Sequence, residues 1–332
     1  MTRAINIAQS GGNNFTMRNR VINGDMRIDQ RNNGGSVTTS VLQSTTYTVD
    51  RWCYYSDVVS KRTIQQSSDA PAGFSKSLLV TVIATDTTGP QQFLRQSIEG
   101  LNMADLNWGT ANASTVTLSF WVKSSVTGQM GGSIQNNGNS RSFPFAYTIN
   151  SANTWEYKTV VIAGDTTGTW LVTNGIGAHI LFEHGVGYQK SAAGTWVALN
   201  TTSSTGSVNL CATNGATWYV TGVQLEAGTT ATPFENRPYS MELALCERYM
   251  ELCTGAHYNS SVINGNYYGG GVNFRQTKRA TPTVIRVADT AVAGNNGSPY
   301  AETINLQGFR SMCRAGSTAV DWTTIYKAEC EL

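Results

Sequence analysis

His179, His184 and His257 are the three imidazoles that this chain of 332 residues offers for acid–base or metal chemistry. His179 and His184 stand five apart in GAHILFEHGVG, a stretch that reads as a strand. An odd offset on a strand sends two side chains to opposite faces, so this pair cannot converge on one metal or one substrate. His257 stands alone. The sequence holds no GxSxG elbow, no HExxH and no Cys–His arrangement. Hydrolysis of a glycan would need two carboxylates roughly 5–10 Å apart across a cleft. The candidates Asp86, Glu99, Asp105, Glu156, Asp165 and Glu183 are scattered among turns and strand ends. The expectation is a non-enzymatic protein.

Aromatic residues carry a stronger signal. A sugar ring stacks its C–H face on Trp or Tyr, and neighbouring Asn, Gln or Asp orient it by hydrogen bonds. Val116, Leu118, Phe120 and Val122 alternate with Thr117, Ser119, Trp121 and Lys123, which is the period of a half-buried strand. The first set defines a core face, so Trp121 must point the other way, toward a ligand or toward a covering loop or subunit. Trp155 shares a face with Tyr157 and Thr159, while Trp108 and Trp170 adjoin loops rich in Asn and Thr. Trp121, Trp108, Trp155 and Trp170 are therefore the ligand candidates. Trp52 with Tyr54, and Trp218 with Val220, read as core.

The elements that must position these rings are strands. Charged residues make up 13% of the chain, against roughly 25% in ordinary domains, and Gly, Thr, Ser and Asn replace them. Strand-like runs recur near 46–55, 77–84, 92–98, 144–149, 155–162, 177–183, 195–199, 207–212 and 217–225. Clusters such as TDTTGP (85–90), SSVTGQMGG (124–132), QNNGNS (135–140) and GDTTGT (164–169) read as the turns between them. Many short strands with polar connections predict an all-β sandwich, jelly roll or barrel.

The exit TPFENRPYSMELALCERYMEL is the helical piece, with Ser240 as N-cap and Met241, Leu245, Tyr249 and Leu252 on one stripe. Beyond it, Val320, Trp322, Thr324, Tyr326, Ala328, Cys330 and Leu332 alternate strictly with polar residues, so one face of the last strand must be buried. The chain divides into an arm at 1–18, a sandwich at 19–240, a linking helix at 241–254 and a smaller β-domain at 255–332. The thin core of that last unit predicts support by oligomerisation.

A net charge of +2 removes the basic footprint of a nucleic-acid binder. Arg18, Arg20, Arg27 and Arg31 lie among Asp25 and Asp29, which predicts a local ion-pair network. No run approaches the ~20 apolar residues of a membrane helix or forms a signal-peptide core, so synthesis in a cytoplasm is expected. Cys53, Cys211, Cys246, Cys253, Cys313 and Cys330 lack metal or disulfide spacing and read as buried free thiols.

Long segments of the chain resemble tail fibre and appendage proteins of tailed bacteriophages. They are NRVINGDMRIDQRN (19–32), TYTVDRW (46–52), IEGLNMADLNWGTANASTVTLSFWVKSS (98–125), ANTWEYKTVVIAGDTTGTW (152–170) and GATWYVTGVQLEAGTTATPFENRPYSMELALCERY (215–249). The resemblance implies a jelly roll similar to carbohydrate-binding modules, followed by the short helix and the second, smaller β-domain. It further implies a virion protein with an arm bound to other particle proteins, a homotrimer, and a host-surface glycan as ligand. A capsid decoration or head-fibre protein shares the same fold and stays open as an alternative, as does a glycan depolymerase. Carbohydrate-binding jelly rolls often hold a structural calcium ion. Here no DxDxDG loop exists and GDTTG reads as a turn, so no cofactor or metal site is assigned.

Overall fold

A computed structural model describes residues 17–39, 44–59, 61–89 and 91–332. The expected arm at 1–18 lies outside the described residues except for its last two positions. The first unit is a jelly-roll β-sandwich of two six-stranded antiparallel sheets. Its strands begin with β1 (Val37–Thr38), β2 (Ser44–Tyr47), β3 (Trp52–Ser56), β4 (Arg62–Ser67), β5 (Ser77–Val82) and β6 (Gln92–Glu99). They continue with β7 (Val116–Ser124), β8 (Gly128–Gln135), β9 (Ser142–Ile149), β10 (Glu156–Ile162), β11 (Ile176–Glu183) and β12 (Thr217–Ala227). One sheet runs β1-β4-β5-β12-β7-β10 and the other β2-β3-β6-β11-β8-β9, so the chain crosses repeatedly from one layer to the other.

Between the sheets lies one apolar core. Val116, Leu118, Phe120 and Val122 of β7 meet Ile180 and Phe182 of β11, with Phe120 edge-on to Phe182 at 5.0 Å. Trp52, Tyr54 and Trp218 are fully buried there, as their alternation predicted. Two expected strands are absent. Residues 195–199 form a loop with a single bridge at Val197, and 207–212 end in a short 3-10 turn, Leu210–Ala212. Three strands were missed, β1, β4 and β8. Glycine misled the reading of β8, because Gly131 and Gly132 serve close packing and not turning. A Cβ on Gly132 would lie 2.2 Å from the Leu181 carbonyl oxygen and 2.4 Å from the Phe145 ring.

The helix α1 spans Tyr239–Glu247, capped by Pro238, and a strand begins at Met250. It is thus shorter than the expected 241–254, and Ser240 lies inside it. Its buried face matches the expected stripe only in part, at Tyr249 and half-buried Leu245. Met241 is exposed, and Glu242, Cys246 and the following Tyr249 turn inward, the last two packing on Ile22 and Ile28. Glu242 tolerates burial because the Asn23 N–H and the Arg237 guanidinium donate to it. No helix among the described residues is long and apolar enough to cross a membrane.

The second unit stacks two three-stranded sheets. One joins β13 (Met250–Asn259), β18 (Val320–Glu329) and β15 (Thr283–Ala293), and the other β14 (Tyr267–Asn273), β17 (Gly308–Arg314) and β16 (Tyr300–Glu302). The alternation of the last strand holds, with Val320, Trp322, Thr324, Tyr326 and Ala328 all buried. Their cover comes from the same chain, where Phe309 of β17 lies edge-on to Tyr326 at 4.9 Å. That face therefore supplies no argument for an oligomer.

Ion pairs tie the sandwich to the second unit and to the end of the helix that precedes it. Arg31 donates to Glu329 and Glu331, both at 2.8 Å, and Arg248 grips Glu99 at 2.6 and 3.0 Å. The arginines near the start thus pair across the fold, with Arg20 on Asp105, while Arg27 alone among them keeps a local partner, Asp25. All six cysteines are free and buried.

Candidate functional site

The outer face of the β1-containing sheet carries a groove of about 590 Å³, built around Trp121. In register, Trp121 of β7 sits opposite Tyr157 of β10 and Thr221 of β12, all three pointing away from the core. The Trp121 and Tyr157 rings are 5.4 Å apart, and Tyr157 is 43% exposed.

Two sequence features open the sheet beside this pair. β12 bulges between Thr221 and Gln224, and Gly222 in the bulge adopts φ 62°. A Cβ on Gly222 would lie 2.6 Å from the Phe74 ring, so the missing side chain makes the seat for Phe74. The exit segment after β12 then folds back as the opposite wall. Buried Glu226 accepts from the Thr232 N–H at 2.8 Å and its hydroxyl at 2.7 Å, and buried Gln224 accepts from the Glu235 N–H at 2.8 Å. Phe234 is thereby held edge-on to Phe74 at 5.2 Å. Four aromatic rings, the Ser119 hydroxyl and the Asn236 amide line the result. A partly exposed, mostly apolar trough of this size fits a flat-faced ligand with hydroxyl groups at its edge.

Trp155 flanks the groove without lining it. Its indole N–H donates to Asp69 at 3.1 Å, and the Lys123 ammonium that pairs with Asp69 lies 4.3 Å from the Tyr219 ring centre and 5.3 Å from that of Trp155. The bond from Lys123 holds the Asp69 carboxyl below its usual range. Trp108 and Trp170 lie elsewhere. With Trp196 they form a triangle of edge-on contacts at 4.7, 5.3 and 5.4 Å against the core. Trp108 is 6% exposed and donates to the Ser114 carbonyl, so it is a packing residue. Phe74, Phe234 and Asn236 escaped the sequence reading, since only the bulge and the fold-back bring them to Trp121.

The acidic candidates are all engaged away from the groove. Asp105 takes Arg20 and Asp165 takes Arg141, each through two bonds of 2.7 Å. Glu156 accepts from Lys158 at 2.6 Å, and Asp86 accepts from the backbone of Thr88 and Gly89. Glu99 is raised by burial, yet Arg248 and Tyr249 outweigh that and hold it below the usual carboxylate range. Glu183 and Asp86 both bond Gln92, but Glu183 sits deep enough that burial pushes it up to about 7. The histidines do face opposite ways. His179 bonds Ser97 at 2.9 Å on the outer side, and His184 stacks on Tyr54 in the core. Burial pushes both down to about 3. No group of three or more His, Cys, Asp or Glu among the described residues could hold a metal ion.

No protein-family model matches the chain, and no curated protein matches it. Among solved structures it is similar to the enzymatically active domain of tailspike protein 4 of bacteriophage CBA120. That match has 15% identity and a TM-score of 0.35, over 64% of this chain and 22% of the tailspike's. It is also similar to a putative sugar binding protein from Bacteroides thetaiotaomicron, at 12% identity and a TM-score of 0.36 over 63% of this chain and 100% of that one. A family 11 carbohydrate-binding module from a Clostridium thermocellum cellulase matches at 14% identity and a TM-score of 0.30, over 59% and 97%. These likenesses are distant, and sheet order and register define the fold here.

Proposed function

We propose that this protein is a non-enzymatic glycan-binding appendage of a phage particle, and that the Trp121–Tyr157 groove is its ligand site. The observation that carries the reading is an outward aromatic pair set in a built trough, where the outer face of a sheet would otherwise be polar. Stacking on such rings is worth roughly 0.5–1.5 kcal/mol per contact beyond area burial. None of the six acidic candidates lines the trough, which supports binding without hydrolysis. Binding of the purified protein to host capsule or lipopolysaccharide tests it, with Trp121→Ala and Tyr157→Ala compared against wild type. Loss in the variants with the sandwich still folded supports the reading, and shortening of the glycan chain contradicts the non-enzymatic part.

The particle role rests on the segment resemblance, with the arm at 1–18 as the attachment to other virion proteins. Labelling of particles, or co-purification with isolated tails as against emptied heads, tests it. A homotrimer belongs to the same proposal and draws support from the exposed Ile285 and Val287 of the second unit. A stable monomer in sedimentation at micromolar concentration contradicts it.

A further inference from the structure

The groove does not end at Phe74. A second cavity of about 300 Å³ lies on its far side, walled by the same Gly73, Phe74 and Asn236, and floored by Asp25 and Arg27. Both volumes fall at or within the roughly 300–1,000 Å³ of ordinary ligand sites. We propose that the two cavities form one extended groove, in which Asp25, Arg27 and Asn236 make a polar subsite next to the Trp121–Tyr157 platform and select a neutral oligosaccharide. This inference rests on the glycan reading above and adds to it a chain length and a charge preference.

Three observations carry it. Asp25 is 5% exposed, and its Oδ1 has no hydrogen-bond partner, while Oδ2 pairs with Arg27. A carboxylate oxygen sealed from solvent without a donor is costly, and a turn of the carboxyl group toward the cavity would let a ligand hydroxyl satisfy it. The Arg27 guanidinium is fixed by a second bond of 2.9 Å to the Arg237 carbonyl, so it presents its remaining donors from a rigid mount. The turn bearing the pair is also held in an unfavourable backbone shape. Met26 adopts φ 60°, although it is neither Gly nor Asn. Its side chain is locked in the core and Gln66 clamps its carbonyl at 2.7 Å. Left-handed backbone at such a residue persists only where the surroundings over-determine it, which happens at ligand clamps. Core burial of Met26 thus leaves Asp25 and Arg27 beside each other at the cavity.

The chemistry selects the ligand. An acceptor next to a donor fits a vicinal pair of sugar hydroxyls, one donating to Asp25 and one accepting from Arg27. The charges of the pair cancel, and no other charged residue among the described residues lines the two cavities. A uronate or sialate carboxylate would meet the unpaired carboxylate oxygen of Asp25 and be repelled. The reach over Phe74 from one cavity to the next needs more than one sugar ring.

The test is an array of neutral oligosaccharides and their uronate counterparts, followed by calorimetric titration with the disaccharide and tetrasaccharide of the best series. Wild type should prefer the neutral tetrasaccharide. Asp25→Asn should weaken the tetrasaccharide about tenfold and leave the disaccharide unchanged, as loss of one charge-assisted bond predicts. Trp121→Ala should weaken both. Arg27→Gln, at a half-buried position that lines the second cavity and not the Trp121 groove, carries the same length-dependent test should Asp25→Asn fail to fold. Preference for uronates, or variants that affect both lengths equally or neither, overturns the extended groove while the Trp121 site stands. An array with no binding overturns the glycan reading and the subsite together.

Discussion

Glu183→Gln should turn a pH-dependent weakness of the sandwich into a pH-independent one. Glu183 ends β11, and its carboxylate accepts from the backbone of Gln92 and Gly185, both at 2.9 Å. Burial raises it from 4.5 to about 7. Between those values the folded chain keeps a proton that the unfolded chain has released, so stability falls as pH rises through the window and levels off above about 7. The gap of about 2.5 units, at 1.36 kcal/mol each, sets an upper bound of about 3 kcal/mol. Glutamine keeps an oxygen for the two N–H donors and does not titrate. Urea unfolding of both proteins at about pH 4.5, 6 and 8 gives the difference directly. His179 and His184 stabilise in the opposite sense, fully above about pH 6.5 and less as pH falls toward about 3, but they cancel in the subtraction. The variant should gain on wild type steadily from about pH 4.5 to 7. A difference that stays flat across that range refutes the reasoning.

Two further outcomes check the joint and the core. Glu99→Ala strands Arg248 and leaves the Tyr249 hydroxyl unpaired at the contact between the units, so denaturation should show a loss of about 2–4 kcal/mol; a loss under about 0.5 kcal/mol would mean that the joint does not depend on this pair. The six buried thiols should resist a thiol reagent in the native protein and all react in denaturant, and reducing agent should leave Tm unchanged.

Much of the architecture was legible because strand alternation records burial directly. The faces of β7 and β18 followed from sequence, as did the core positions of Trp52 and Trp218. What failed had local causes. Glycines of β8 looked like turn residues because the ring and carbonyl that exclude a Cβ from Gly132 belong to its pairing partners β9 and β11, which the local sequence does not reveal. The helix stripe was misread because a polar residue, Glu242, is buried with the help of a partner far away in sequence, Asn23. At the site, Trp121 could be read from its strand, but its neighbours could not. Phe74 depends on a bulge in β12, and Phe234 on hydrogen bonds that fold the exit segment back. Asp25 was legible only as part of an ion-pair cluster, since nothing in the sequence distinguishes its bonded oxygen from its free one.

The most direct test of the account follows the tryptophan indole N–H signals by NMR while host-surface oligosaccharide is added. There are eight tryptophans, and Trp121→Ala assigns the one that matters. The account predicts a saturable shift of the Trp121 signal, with those of Trp108, Trp170 and Trp196 unmoved and the binding lost in Trp121→Ala. Saturable binding that moves the three-tryptophan cluster and leaves Trp121 in place would contradict it.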